Sequence, residues 1–240
     1  MKSRLIPLLT LSLLLPATLV RAAEHSPQAA RDTYLRHAAL PACTAGEAIS
    51  LDLPLAAETE FSYDAASGRL RVFYPMQFND LTEGWNWHPE EVAAGRDYYP
   101  YKYLPLGSIP EARGSYRTTD PAGRVIDYPI EWRWDYFFAF DNPYEFYPRD
   151  AGEDAGFAFS FAVSAAEAER LRNDGLRLSL QGRLQENCVS ESTTFWKATA
   201  SAPVDFTLKK RYLVGRLEAV GVRETATGRL LARRRAGERP

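Results

Sequence analysis

Three times in this chain a short alternating run turns through a glycine and returns as Gly-Arg-apolar, and a chain punctuated in that way is committed to hairpins. Phe61–Tyr63 and Leu70–Tyr74 flank Asp64-Ala65-Ala66-Ser67-Gly68. Tyr116–Thr118 and Arg124–Ile126 flank Asp120-Pro121-Ala122-Gly123, and Val222–Glu224 and Arg229–Leu231 flank Thr225-Ala226-Thr227-Gly228. The turns keep no fixed short spacing, so they are separate hairpins and not a solenoid repeat.

The rest of the chain follows the same period of two. Ile49, Leu51, Leu53 and Leu55 alternate with Ser50, Asp52 and Pro54, a half-buried strand whose proline argues for a sheet edge. Phe157, Phe159, Phe161 and Val163 share one face of a strand that runs into Ser164-Ala165-Ala166-Glu167, a capping box. The helix so opened reaches about Asn173 and stops at Asp174-Gly175. Leu176, Leu178, Leu180 and Leu184 line the next strand, with Gly182 as a bulge. Val204, Phe206 and Leu208 with Tyr212 and Val214 give another, and Val220 with Val222 opens the last hairpin. Near the start, Ser26-Pro27 supplies an N-cap and first-turn proline for a short helix or frayed arm carrying Tyr34, Leu35, Ala38 and Ala39 before Pro41. The expected fold is mainly β: an antiparallel β-sandwich or open barrel with one or two short peripheral helices. Residues 23–42 are read as an N-terminal helical arm, 43–232 as a single β-rich domain and 233–240 as a basic C-terminal tail.

Residues 1–22 carry Lys2 and Arg4, then a leucine-rich run, then Ala22 and Ala23, the order of a secretory signal peptide cleaved near Ala22. The run is interrupted by Pro7 and Pro16 and is short for a bilayer, and no later stretch has the length and apolarity of a membrane span. The expectation is an exported protein, periplasmic or secreted. In an oxidising compartment the two cysteines, Cys43 and Cys188, are expected to form one disulfide joining the start of the domain to its late part.

Charge excludes one class of partner. Lys+Arg number 29 against 31 Asp+Glu, so nothing drives the chain as a whole onto nucleic acid. Aromatic residues are the unusual feature: 17 of the 30 lie between Trp85 and Tyr147. Trp85-Asn86-Trp87-His88 and Tyr98-Tyr99-Pro100-Tyr101-Lys102-Tyr103 fall in a stretch rich in Pro, Gly, Asn and Glu without a clean period, which reads as a long recognition loop. Trp132, Trp134, Tyr136 and Phe138 alternate with Arg133, Asp135 and Phe137, so one strand face is aromatic. Such a face either fills the space between sheets or, where it meets water, binds. The candidate ligand-binding residues are Trp85, Trp87, Tyr99, Tyr101, Trp132 and Trp134.

Catalytic patterns are sparse. Of three histidines, His25 and His37 lie in the arm and only His88 in the domain body, too few for a histidine metal site or triad. Asp150, Glu153 and Asp154 lack the calcium-loop register, and no cofactor or metal is expected. A carboxylate pair for glycan hydrolysis has candidates in Glu131, Asp135, Asp141 and Glu145. The functional expectation is a non-catalytic binding module for an envelope glycan or an envelope protein. The alternatives are a carboxylate-based glycan hydrolase and a structural or inhibitory envelope protein.

Overall fold

The computed structural model describes residues 26–39, 43–76, 101–119, 122–148, 151, 154–173, 175–199 and 201–238. In chain order these form α1 (Pro27–Ala38), β1 (Ala48–Pro54), β2 (Glu60–Asp64), β3 (Arg69–Pro75), β4 (Lys102–Thr119), β5 (Val125–Phe140), β6 (Gly156–Ala162), α2 (Ala165–Arg172), β7 (Leu176–Trp196), β8 (Asp205–Glu224) and β9 (Leu230–Arg235). The strands make a six-stranded sheet of order β1-β7-β8-β5-β4, with β9 also on β8, and a three-stranded sheet β2-β3-β6. The architecture is a β-sandwich with few helices.

Local chemistry explains most elements. The three hairpin glycines, Gly68, Gly123 and Gly228, hold left-handed backbone with φ of 62°, 81° and 70°, a conformation that costs other L-residues strain. They close β2–β3, β4–β5 and β8–β9. Strand β1 lies at the sheet edge, where Pro54 displaces no neighbour's hydrogen bond. The Ser164 hydroxyl accepts from the Glu167 backbone N–H at 3.2 Å to open α2, and the register of β7 slips between Gln181 and Gly182 as a bulge requires.

Apolar side chains from both sheets share one core. Leu70 and Val72 of β3 and Phe157 of β6 are fully buried, and so are Leu178 of β7, Phe138 of β5 and Val222 of β8. The Cys43–Cys188 disulfide, Cα–Cα 5.8 Å, fastens the segment entering β1 to the middle of β7.

Several expectations are corrected. One pair is parallel: β8 enters between β7 and β5, running antiparallel to β7 and parallel to β5, so the large sheet is mixed. The two separate strands expected between Val204 and Val222 are one strand of 20 residues. Arg233, Arg234 and Arg235 belong to β9 and not to a free tail. Lys102 and Tyr103, read from the sequence as part of a long aromatic loop, lie in β4. Helix α1 is a docked element, capped by Ser26, whose hydroxyl accepts from Ala29 N–H at 3.1 Å. Its buried side is Ala30, Tyr34 and His37, while Leu35 is exposed. Helical spacing of i, i+4, i+7 puts these three on one stripe; of the residues read on the helix from sequence, Tyr34 lies on that stripe and Leu35, Ala38 and Ala39 are exposed.

The two layers differ in length, and that difference makes the site. Burial along β5 ends at Tyr136 and along β4 at Leu106. Beyond those residues β4, β5, β8 and the last third of β7 continue as a four-stranded extension of the large sheet.

Candidate functional site

Register assigns the side chains of this extension to its two faces, because directly opposed residues on neighbouring strands share a face. Trp134 lies opposite Ile109 of β4 and Lys209 of β8, Trp132 opposite Glu111 and Thr207, and Tyr136 opposite Arg211. Glu191 of β7 in turn lies opposite Arg211. The same face carries Tyr136 and Phe138 into the sandwich core. The aromatic stripe expected on β5 is therefore real and divided: Tyr136 and Phe138 are core, while Trp132 and Trp134 are half-buried on the extension.

The rings are interleaved with cations. The Arg211 guanidinium sits 5.0 Å from the Tyr34 ring centre and 4.2 Å from that of Trp134. Lys209 Nζ lies 5.3 Å from Trp134 and 4.9 Å from Trp132, and Arg113 caps Trp132 at 4.1 Å. Tyr34, Arg211, Trp134, Lys209, Trp132 and Arg113 thus alternate ring and cation from the docked helix outward. Each contact is attractive through the ring quadrupole, about 0.5–1 kcal/mol when exposed and ~2 kcal/mol when desolvated. The long Arg and Lys stems also cover apolar ring surface that no second sheet covers here.

Acids hold the ladder in register. The Trp134 indole N–H donates to Glu111 Oε2 at 2.8 Å, and Arg113 pairs with Glu111 at 3.0 Å. Arg211 pairs with Glu191 at 3.6 Å. At the tip Tyr116 stacks on Tyr128 with centroids 5.6 Å apart, and Lys197 Nζ donates to Tyr116 Oη at 2.6 Å and Asp205 Oδ2 at 2.8 Å. The bond from Lys197, with the Ala198 N–H, holds the Asp205 carboxyl below the usual range, and Asp205 in return raises Lys197.

The opposite face is organised differently. Tyr103, Phe137, Ala139, Tyr212 and Val214 form a second apolar cluster against which half-buried Tyr101 packs, its hydroxyl donating to Gln185 at 3.3 Å. Tyr101 therefore sits apart from the ladder, on a structural cluster. Trp85, Trp87 and Tyr99 lie outside the described residues, as do His88, Asp150 and Glu153. Of the six candidate binding residues, the structure brings together Trp132 and Trp134, with ring centres 5.7 Å apart.

The candidate carboxylates are engaged with cations or exposed. Asp135 accepts from the Ser108 hydroxyl at 2.5 Å and pairs with Arg133 at 3.1 Å. Asp141 and Glu145 share Arg216, and the Gln185 amide donates to Asp141 at 2.8 Å. Burial pushes the Asp141 carboxyl above its usual range against the opposing pull of Arg216. Glu131 is exposed on the extension. Among the described residues no group of three or more His, Cys, Asp or Glu is placed to hold a metal ion.

Sequence reasoning found the rings and missed the cations. Lys209 and Arg211 sit two residues apart in β8, a spacing that puts them on one face, but only the parallel register sets that face beneath the tryptophans. Arg113 reaches Trp132 from a segment where β4 slips register between Ala112 and Ser115. A groove of about 590 Å³ between Arg71, Phe73, Tyr147 and Arg234 was also unforeseen, since its walls come from three separate parts of the chain.

No protein-family model matches the chain, and no curated protein sequence matches it. Among solved structures, a deletion mutant of the single-stranded DNA binding protein from Thermus aquaticus is similar at 15% identity, over 78% of this chain and 55% of that one. The chain thus spans about half the length of that protein. The TM-score is 0.16, too low to speak for fold or ligand, so the functional reading rests on the residues themselves.

Proposed function

We propose that this is an exported protein, periplasmic or secreted after cleavage near Ala22, that binds rather than catalyses, with the cation-laced aromatic face of the sheet extension as its contact surface. The observation that carries the reading is that Trp132 and Trp134 lie half-buried beyond the end of the second sheet, with Arg113, Lys209 and Arg211 held against their rings. Ring faces give flat apolar area, and ammonium and guanidinium groups held at fixed positions give directional donors to acidic groups. That combination suits an anionic envelope glycan, with an acidic envelope protein as the second candidate.

The hydrolase alternative has less to build on. Asp135, Asp141 and Glu145 are all bound up with arginines, whereas a glycosidase needs one acid and one base or nucleophile free to face the sugar.

The test is binding of the oxidised protein to uronate- or phosphate-bearing glycans, to their neutral counterparts and to single-stranded DNA. Trp132→Ala and Lys209→Ala should each weaken capture of the anionic glycan about tenfold or more, with the melting temperature of the Lys209 variant within a few degrees of the parent. Equal capture by parent and variants, or a preference for the oligonucleotide, would overturn the proposal.

A further inference from the structure

The two edges of the sheet extension are built in opposite ways. On one side β4 has no neighbour but β5 among the described residues. It carries Pro105, Gly107, Pro110 and Gly114, and its register slips at Pro105/Gly107 and at Ala112/Ser115. Prolines and bulges are how an exposed edge is kept from pairing with another chain. On the other side β7 is paired with β1 only from Arg177 to Arg183. Its continuation, Val189–Trp196, has β8 on one flank and no described strand on the other. This segment has no proline, no glycine and no register slip. It is rich in residues that favour strands, Val189, Thr193, Thr194, Phe195 and Trp196. Phe195 and Trp196 are 55% and 48% exposed, one on each face of the sheet.

The segment is also complementary to itself. In an antiparallel pair the sum of opposed residue numbers is constant, and a two-fold axis perpendicular to the sheet must pass beside a single residue so that both copies present the same face. Centred on Thr194, the register sets Thr193 against Phe195, Ser192 against Trp196 and Glu191 against Lys197, each pair occurring twice. Among centres from Ser192 to Phe195, only this one opposes Glu191 to Lys197. Centred on Thr193, the same strands would put Glu191 against Phe195 and Lys197 against Val189. Lys197 already donates to Asp205 and Tyr116 and has a third ammonium hydrogen to give, and its side chain is 63% exposed.

We infer that the Val189–Trp196 edge of β7 pairs antiparallel with the same edge of a second copy about a two-fold axis at Thr194, joining two sheets into one. The pairing satisfies backbone groups that no described strand of the monomer reaches and covers Phe195 and Trp196 from the side. It makes the aromatic faces of the two copies continuous. It does not depend on what those faces bind.

The test is analytical ultracentrifugation of the oxidised, signal-free protein across the micromolar range, with three variants. Wild type should sediment as a concentration-dependent dimer. Thr194→Lys puts like charges opposite each other at the axis and should give a monomer with unchanged far-UV circular dichroism. Thr194→Cys places two thiols across the axis at a separation a disulfide spans, and should give a covalent dimer under mild oxidation at least tenfold faster than Thr118→Cys on the β4 edge. A wild type that stays monomeric, a Thr194→Lys variant that stays dimeric, or equal cross-linking from the two edges would each overturn the inference.

Discussion

The guanidinium of Arg211 lies 4.2 Å from the centre of the Trp134 ring and 5.0 Å from that of Tyr34 on the N-terminal helix. One arginine thus ties the helix to the sheet at the point where the second layer ends. Arg211→Ala should cost about 2 kcal/mol, from lost cation–ring attraction and lost stem packing. For a chain of this size that is about 4–8 °C in melting temperature. Arg211→Met, which keeps the stem and drops the charge, should recover part of it. A methionine variant as stable as wild type would show that the charge contributes nothing.

The disulfide should be complete in protein from an oxidising compartment, with no thiol labelled in the native state. Cys188 is fully buried and Cys43 nearly so, and they stand 145 residues apart. Loop-closure entropy for such a span sets an upper figure of about 5 kcal/mol for its stabilisation. Replacing both by Ser should lower the denaturant midpoint by an amount within that limit, and an unchanged midpoint would contradict it.

Helix α1 is held close at its start. A Cβ at Gly107 would stand 2.7 Å from Pro27 Cα and 2.8 Å from Pro27 Cβ, so Gly107→Ala must push the helix N-terminus off β4. A cost of about 1–3 kcal/mol is expected, together with faster tryptic cleavage at Arg31 and Arg36. Limited proteolysis followed by mass spectrometry reads the sites.

Acid should act through the carboxylates that the fold holds low: Asp64, by the bond from the Ser67 hydroxyl, and two that pair with cations. The Thr227 hydroxyl, then Arg170, hold Glu224 below its usual range, and the Lys197 ammonium does the same for Asp205. Their folded values lie below their unfolded ones, so the native state resists protonation. The stability they contribute is full above the ordinary carboxylate range and is lost as pH falls through the lowered folded values. Asp141 has the opposite sign: burial raises it, so the folded state takes up its proton more readily than the unfolded chain. Melting temperature should therefore drop in acid, with a shallower drop in Asp205→Asn and Glu224→Gln and no comparable loss at neutral pH in Asp141→Asn. Parallel acid limbs for all four proteins would remove the assignment.

The elements that were legible in the sequence are those whose chemistry is local. Gly68, Gly123 and Gly228 mark their turns because positive φ is a property of the residue itself, and Ser164 announces α2 by the cap it forms three residues on. Alternation gives the face of each strand but not the neighbour, so the parallel pairing of β5 with β8 left no trace. Leu208 and Tyr212 read as one strand, but the alternation says nothing of the cations between them; in β8 the charged groups of Lys209 and Arg211 lie against tryptophan rings. The stripe from Trp132 to Phe138 has one period throughout, so nothing in it tells where the second layer stops. That boundary depends on how far β2, β3 and β6 reach, which is decided elsewhere in the chain.

Among the described strands β8 is the eighth of nine to emerge in synthesis, and it alone links β7 to β5. A nascent polypeptide that stops before Asp205 holds two part-sheets with no strand to bridge them. Completion of the large sheet is thereby deferred until Asp205–Glu224 has been made, so its two parts must wait for a strand that comes late in the chain. Loss of the chain from Asp205 onward should therefore split the large sheet, leaving β1-β7 and β5-β4 with no described strand between them.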